Sequence, residues 1–319
     1  MRKFLIALLY FILPVVIASY GLDVFISKNL LKSNTSPGNY NAWNDIYKGQ
    51  VNADVVIYGS SRASMQIDPH ILEDSLKLKV YNFGMLGHNF LTQYLRHIEY
   101  LKYNPQPKQI IMCVDYFSFE KREDLYESDQ FLPYMLWNFN IWRYAKSYDG
   151  FSLLDHVVPL VRYVGKATAK KKAFSMAFMK SNMKPLKYKG FKSTDKPWDK
   201  TMEEARLKRG IYTISNDTNT VNLFYQFLQE CEEQNIKVTL VYTPEYFEEK
   251  KLVLNRDETF KFFKQVSTQY NNTFLNYVDD SICYKKEYFY NSLHLNKKGV
   301  DLFSKKLAHD LKKLDVVEK

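Results

Sequence analysis

Two short stretches carry residue types that together can perform acyl-transfer chemistry. One is Tyr58-Gly59-Ser60-Ser61-Arg62-Ala63-Ser64; the other is Asn291-Ser292-Leu293-His294-Leu295-Asn296. A serine hydroxyl is a weak nucleophile until a neighbouring base takes its proton. A Gly-Ser-Ser turn at the carboxyl end of a buried strand is where an α/β fold presents such a serine. Gly59 lets the chain turn sharply there, and the amides that follow point at a developing oxyanion. Taken alone, Gly-Ser-Ser is also a common loop tripeptide. His294 precedes the last amphipathic stretch, a position suited to a general base, although a lone histidine is more often structural. Asn82-Phe83-Gly84-Met85-Leu86-Gly87-His88-Asn89 offers two glycines for close backbone approach, and Gly87 can supply an amide to the same oxyanion. That stretch also reads as an ordinary β–α turn. It lacks the third glycine of a dinucleotide fingerprint.

These residues need strands and helices to bring them together. Five short apolar runs end in turn residues: Asp54–Tyr58, Lys79–Phe83, Gln109–Val114, Lys237–Tyr242 and Thr273–Val278. Most lack clean alternation, as strands buried on both faces do. Helical patterns lie between and after them, at His70–Leu76, Phe90–Leu101, Thr220–Glu233, Asp257–Tyr270 and Lys297–Leu314. Alternating strand and helix predicts an α/β fold with a parallel sheet covered on both faces and right-handed crossovers. Some 90 residues, 118–209, separate the third strand from the fourth, far more than a crossover needs. They read as a partly helical insertion, with helices expected at Phe131–Tyr148 and Val157–Met179.

The N-terminus predicts a membrane segment. Arg2 and Lys3 precede an uncharged run, Phe4–Leu22, which as helix reaches roughly 28 Å, close to the ~30 Å hydrocarbon core of a bilayer. Pro14 is tolerated in such helices. A retained anchor over 1–27 is favoured over a cleaved signal peptide; a linker and short helix follow at 28–50, and the main domain at 51–319. In either case the remainder is expected outside the cytoplasm, in the periplasm or on the outer membrane face.

Composition narrows the rest. The chain has 319 residues, 46% hydrophobic, with 11 Gly and 10 Pro, which excludes a disordered or collagen-like protein. Three cysteines, Cys113, Cys231 and Cys283, cannot staple a domain of this size. The formal net charge is +10, and it sits in one segment: from Arg162 to Arg209, fifteen Lys and Arg face four Asp and Glu. Lys170, Lys171, Lys172, Lys187 and Lys189 lie there among Phe174, Phe178, Tyr188, Phe191 and Trp198. The segment reads either as a solvated surface or as a face for phospholipid or an anionic polymer. No nucleic-acid motif accompanies it. Neither HExxH nor CxxC spacing occurs, so no metal, and no other cofactor, is expected.

In the order of its motifs the chain resembles the SGNH/GDSL hydrolase superfamily: Gly-x-Ser after the first strand, Asn-x-x-x-x-Gly after the second, and a histidine before the last helix. The likeness spans about Asp54 to Leu314 and is nearest to membrane-anchored bacterial envelope members. It implies a flavodoxin-like three-layer sandwich of five parallel strands. Ser61 is then the nucleophile, His294 its base, and Gly87 with the Ser61 amide the oxyanion hole. It implies an esterase or acyltransferase acting on acylated or anionic envelope polysaccharide, with a membrane-bound O-acyltransferase as a candidate partner. Two positions depart from the family. Its triad acid is replaced by Asn291, and its donor after the third strand is missing, with Asp115 nearby; Asn89 or Arg62 is left to substitute as donor. These departures keep open a second reading, an inactive binding or assembly protein on the same fold.

Overall fold

The uncharged N-terminal run has no polar face to bury, and in the computed structural model it forms one helix, α1 (Arg2–Leu30), long and apolar enough to cross a membrane; a signal sequence meets the same criterion. The structure describes residues 1–32, 40–178, 188–201, 204, 208 and 210–317. Along the chain follow α2 (Tyr40–Tyr47), β1 (Val55–Tyr58), α3 (Ser61–Gln66), α4 (Pro69–Leu76), β2 (Val80–Asn82), α5 (Phe90–Tyr103) and β3 (Gln109–Cys113). Next come α6 (Phe139–Ala145), α7 (Leu153–Val157), α8 (Ala167–Phe178) and α9 (Thr218–Glu233). The chain closes with β4 (Lys237–Tyr242), α10 (Arg256–Gln269), β5 (Thr273–Asn276), β6 (Phe289–Asn291), β7 (His294–Leu295) and α11 (Lys297–Val317).

The chain divides into two compact units: Met1–Asp45 with Arg122–Leu186, and Ile46–Lys121 with Lys187–Lys319. The second unit is the expected α/β fold. Its sheet has the order β2-β1-β3-β4-β5, and every pairing is parallel. β1, β2 and β3 are buried throughout, which explains their unbroken apolar sequences. Side chains alternate across the pleat. Val55, Ile57, Ile111, Cys113 and Val241 pack with Leu72 of α4 and Val300, Phe303, Leu307 and Leu311 of α11. On the other face Tyr58 meets His97 of α5, and Phe90 of α5 meets Phe224 and Phe227 of α9.

The first unit is built around α1. Phe4 to Leu22 carry no buried residue, and burial begins at Asp23. Arg162 Nη2 lies 2.6 Å from Asp23 Oδ1 and 3.1 Å from Ser27 Oγ, and the amide of Leu160 donates to Asp23 Oδ2 at 2.8 Å. The insertion's helices are shorter than the periodicity predicts. A 3-10 turn at Ser128–Tyr134, α6, α7, a 3-10 turn at Val161–Tyr163 and α8 replace the two long helices. The breaks fall at Trp137, Gly150, Leu160 and Gly165, all with positive φ.

Gly59 ends β1 with φ +144, and a Cβ there would stand 2.6 Å from Cys113 Cβ and 2.7 Å from Ala63 Cβ. Gly59→Ala is therefore expected to destabilise the protein by about 2 kcal/mol or more, from strain and overpacking combined. Urea denaturation of the full chain in detergent measures the loss.

Candidate active site

β1 delivers Ser61 to the first position of α3, and two devices hold that turn. Ser60 caps the helix, its hydroxyl accepting from the Arg62 amide at 3.2 Å. Asn82, at the end of β2, donates through Nδ2 to the carbonyls of Ala63 (2.8 Å) and Ile67 (2.9 Å), while its Oδ1 accepts from the Gly84 amide at 2.9 Å. At the other end of the chain, β6 and β7 form a small antiparallel hairpin that carries Asn291 and His294. Gln66 Nε2 donates to the Leu293 carbonyl at 2.5 Å, fastening the hairpin tip to the end of α3.

The structure brings Ser61, His294 and Asn291 into one line. Ser61 Oγ is 2.8 Å from His294 Nε2, and His294 Nδ1 is 2.9 Å from Asn291 Oδ1. The same Asn291 oxygen accepts from the amides of Leu293 (3.1 Å) and His294 (2.9 Å). An oxygen facing three donors fixes the tautomer: Nδ1 carries the proton, and Nε2 is the acceptor for the serine hydroxyl. Tyr290 stacks on the imidazole, 5.5 Å between centroids and 12° between planes. Burial, helped by the Arg62 guanidinium and opposed by Asp199, pushes His294 down to about 4 from its ordinary 6.5. The imidazole is therefore neutral at physiological pH, with Nε2 free to accept the serine proton.

Arg62 and Asp115 have a different place from the one the sequence suggests. Arg62 Nη1 lies 2.9 Å from Asp115 Oδ1 and 3.4 Å from Glu245 Oε2, and all three side chains are fully buried. Arg62 also donates to the Thr243 carbonyl, and Arg256 pairs with Glu245. The guanidinium is thus committed to a buried ion network, as is the carboxylate, and neither faces outward as an oxyanion donor or a repelling charge. Burial raises the Asp115 carboxyl, and Arg62 opposes that rise. Asn89 caps α5 and donates to the Glu120 carbonyl at 2.9 Å. Gly87 occupies a half-buried turn with φ +72, next to Met85, whose amide donates to Gly59 O at 2.8 Å. The amides of Ser61 and Gly87 have no acceptor among the described residues.

A cavity of about 180 Å³ opens beside the histidine, lined by His294, Asn291, Leu293, Tyr116, Tyr212 and Glu249 among others. A larger groove, about 710 Å³ along α10 and the β5 edge, contains none of the candidate residues. Of the basic candidates, Lys170, Lys171 and Lys172 lie on α8 in the first unit, and Lys189 in the second pairs with Glu73. Lys189 is thus an internal partner of α4 and not a free cation. Lys187 lies outside the described residues. Cys113, Cys231 and Cys283 are buried free thiols. Asn82, the first residue of the Asn-x-x-x-x-Gly stretch, holds α3; Gln66, Tyr290 and Asp199 also contribute to the site, and no motif in the sequence marks them.

No protein-family model matches the chain, and no curated protein matches it. A solved structure from Streptococcus pneumonia, provisionally described as a platelet activating factor, aligns with 96% of this chain and 98% of its own at 11% identity and a TM-score of 0.39. A likeness that distant carries no argument about function.

Three outcomes follow from this geometry. Covalent labelling of Ser61 by a fluorophosphonate, followed as a rate against pH, is expected to stay level through neutrality and to halve near pH 4, where His294 gains its proton. Asn291→Asp places a carboxylate against Nδ1, favours the imidazolium, and moves that midpoint upward. Arg62→Met leaves Asp115 and Glu245 buried without their cation. It is expected to cost roughly 3–5 kcal/mol in chemical denaturation.

Proposed function

We propose that this chain is a serine esterase or acyltransferase of the SGNH type, anchored by α1 and acting outside the cytoplasm on acylated envelope polymer. The observation that carries the reading is the unbroken line Ser61 Oγ–His294 Nε2, His294 Nδ1–Asn291 Oδ1. Ser61 attacks an ester or thioester carbonyl as Nε2 takes its proton, and the amides of Ser61 and Gly87 receive the oxyanion. Collapse of the tetrahedral intermediate expels the alcohol or thiol, which takes the proton from His294, and leaves an acyl-serine. Water or a sugar hydroxyl then attacks the acyl-serine, with His294 again as base. A neutral Asn291 holds the tautomer without adding a charge to stabilise the imidazolium, so the site is expected to turn over slowly.

The cavity lies on the His294–Asn291 side of the site, with Ser61 outside its lining, and its size suits a short group. At about 180 Å³ it falls below the roughly 300–1,000 Å³ of pockets that enclose drug-sized ligands. An acylated wall or surface polysaccharide supplies such a group. A membrane-bound O-acyltransferase is the partner that would load or receive it.

A second reading, a binding or assembly protein with an idle site, is favoured by one observation: Asp115, near where the family has its third oxyanion donor, is sealed against Arg62. Activity decides between the two. Ser61→Ala and His294→Ala are each expected to lower acetyl-ester hydrolysis or transfer by ~10³-fold or more, and Ser61→Ala to abolish fluorophosphonate labelling. A folded wild type that neither labels nor turns over an acetylated polysaccharide, yet binds it, leaves the binding role.

A further inference from the structure

The first unit exposes apolar side chains where a water-facing surface would not, and they gather about one level of α1. Trp137 is 54% exposed and Val164 74%; Leu153, Leu154 and Val158 are exposed as well. Tyr20, less than one turn before burial begins at Asp23, stacks on Trp137 with centroids 5.5 Å apart and planes 21° apart. Trp137 is held outward rather than left loose. Its backbone has φ +59, a costly conformation for a bulky residue. Its amide donates to the His156 carbonyl at 2.8 Å, and its indole N–H to the Val157 carbonyl at 3.2 Å. The indole's polar atom is therefore satisfied while its ring faces out. The segment that carries the other apolar residues is fastened to α1 at the same level, through Leu160 N and Arg162 on Asp23.

We infer that Trp137, Leu153, Leu154, Val158 and Val164 form a collar seated in the lipid interface of the membrane that α1 enters. The inference rests on reading α1 as a retained anchor. The collar surrounds the residue at which the uncharged run ends, about 28 Å of helix from Phe4, so a spanning α1 sets it at the bilayer surface. Tryptophan is enriched at that depth, where its ring meets acyl chains and its N–H stays bonded. Exposed apolar residues on segments tied to one level of a helix mark an interaction site. Continuity with the helix selects lipid over a separate protein. Seated in this way, the collar fixes the first unit's orientation against the bilayer, which one flexibly attached helix would not do.

The test uses the full chain reconstituted into phosphatidylcholine–phosphatidylglycerol vesicles whose acyl chains are brominated near the headgroup. The expected result is loss of a tryptophan emission component that Trp137→Phe removes. A Leu154→Glu/Val164→Glu variant should lose this quenching while remaining resistant to alkaline carbonate extraction. Equal quenching of wild type and Trp137→Phe overturns the inference. So does quenching of Trp137 by aqueous iodide, or by neither agent, which would mean that a protein surface covers it. Release of the wild type by carbonate overturns the anchor reading itself, and with it the collar.

Discussion

A single hydrogen bond between Ser61 and His294 spans 233 positions of sequence, and the α/β unit is arranged to keep it. Neither partner belongs to a long element. Ser61 begins a six-residue helix and His294 a two-residue strand, and such pieces have little stability of their own. Their placement is borrowed. β1 is an inner strand and β2, at the sheet's edge, is buried as well, and Asn82 transmits their rigidity to α3 through two carbonyls. α11 lies behind the hairpin and packs on α4. The Ser61–His294 distance is thus set by the sheet and the terminal helix, with the site itself contributing only the last few bonds.

The buried network beneath the serine is the second constraint. Arg62, Asp115, Glu245 and Arg256 carry two positive and two negative charges, out of water, at the carboxyl ends of β3 and β4. Ion networks of this kind seldom add net stability, since desolvation offsets much of the attraction. Their geometric effect is clearer. Arg62 is the residue after Ser61 on α3, so pinning its guanidinium to Asp115, Glu245 and the Thr243 carbonyl helps to fix the first turn of that helix. Its positive charge also disfavours a second positive charge on His294. One side chain thereby steadies the turn that carries Ser61 and adds to the burial that keeps His294 unprotonated.

Much of this was legible in the sequence, for identifiable reasons. All five strands were readable because each is a short apolar run ended by turn residues, and β4 matches its expected limits. Ser61 and His294 were readable because strand ends and helix starts leave marks in the sequence. The fate of Arg62 was not readable: an arginine beside a nucleophile looks like a substrate ligand until Asp115 and Glu245, 53 and 183 positions away, are found around it. Asn89 was lost in the same way, to the carbonyl of Glu120. The two long helices expected in the insertion are broken at Trp137 and Leu160, which adopt positive φ under tertiary hydrogen bonds, and again at Gly165, where Pro159 and the glycine are local signals of a break.

The pairing of Asp23 with Arg162 has a consequence for the order of events during synthesis. The two residues are 139 positions apart, so the acidic group on α1 is translated long before the guanidinium that neutralises it. Through that interval Asp23 must remain hydrated, because an unpaired carboxylate is too costly to bury. The apolar run ahead of it is free to partition without waiting. The turn of α1 that carries Asp23 therefore cannot be buried until residues 122–186 have been made, and the first unit closes only then.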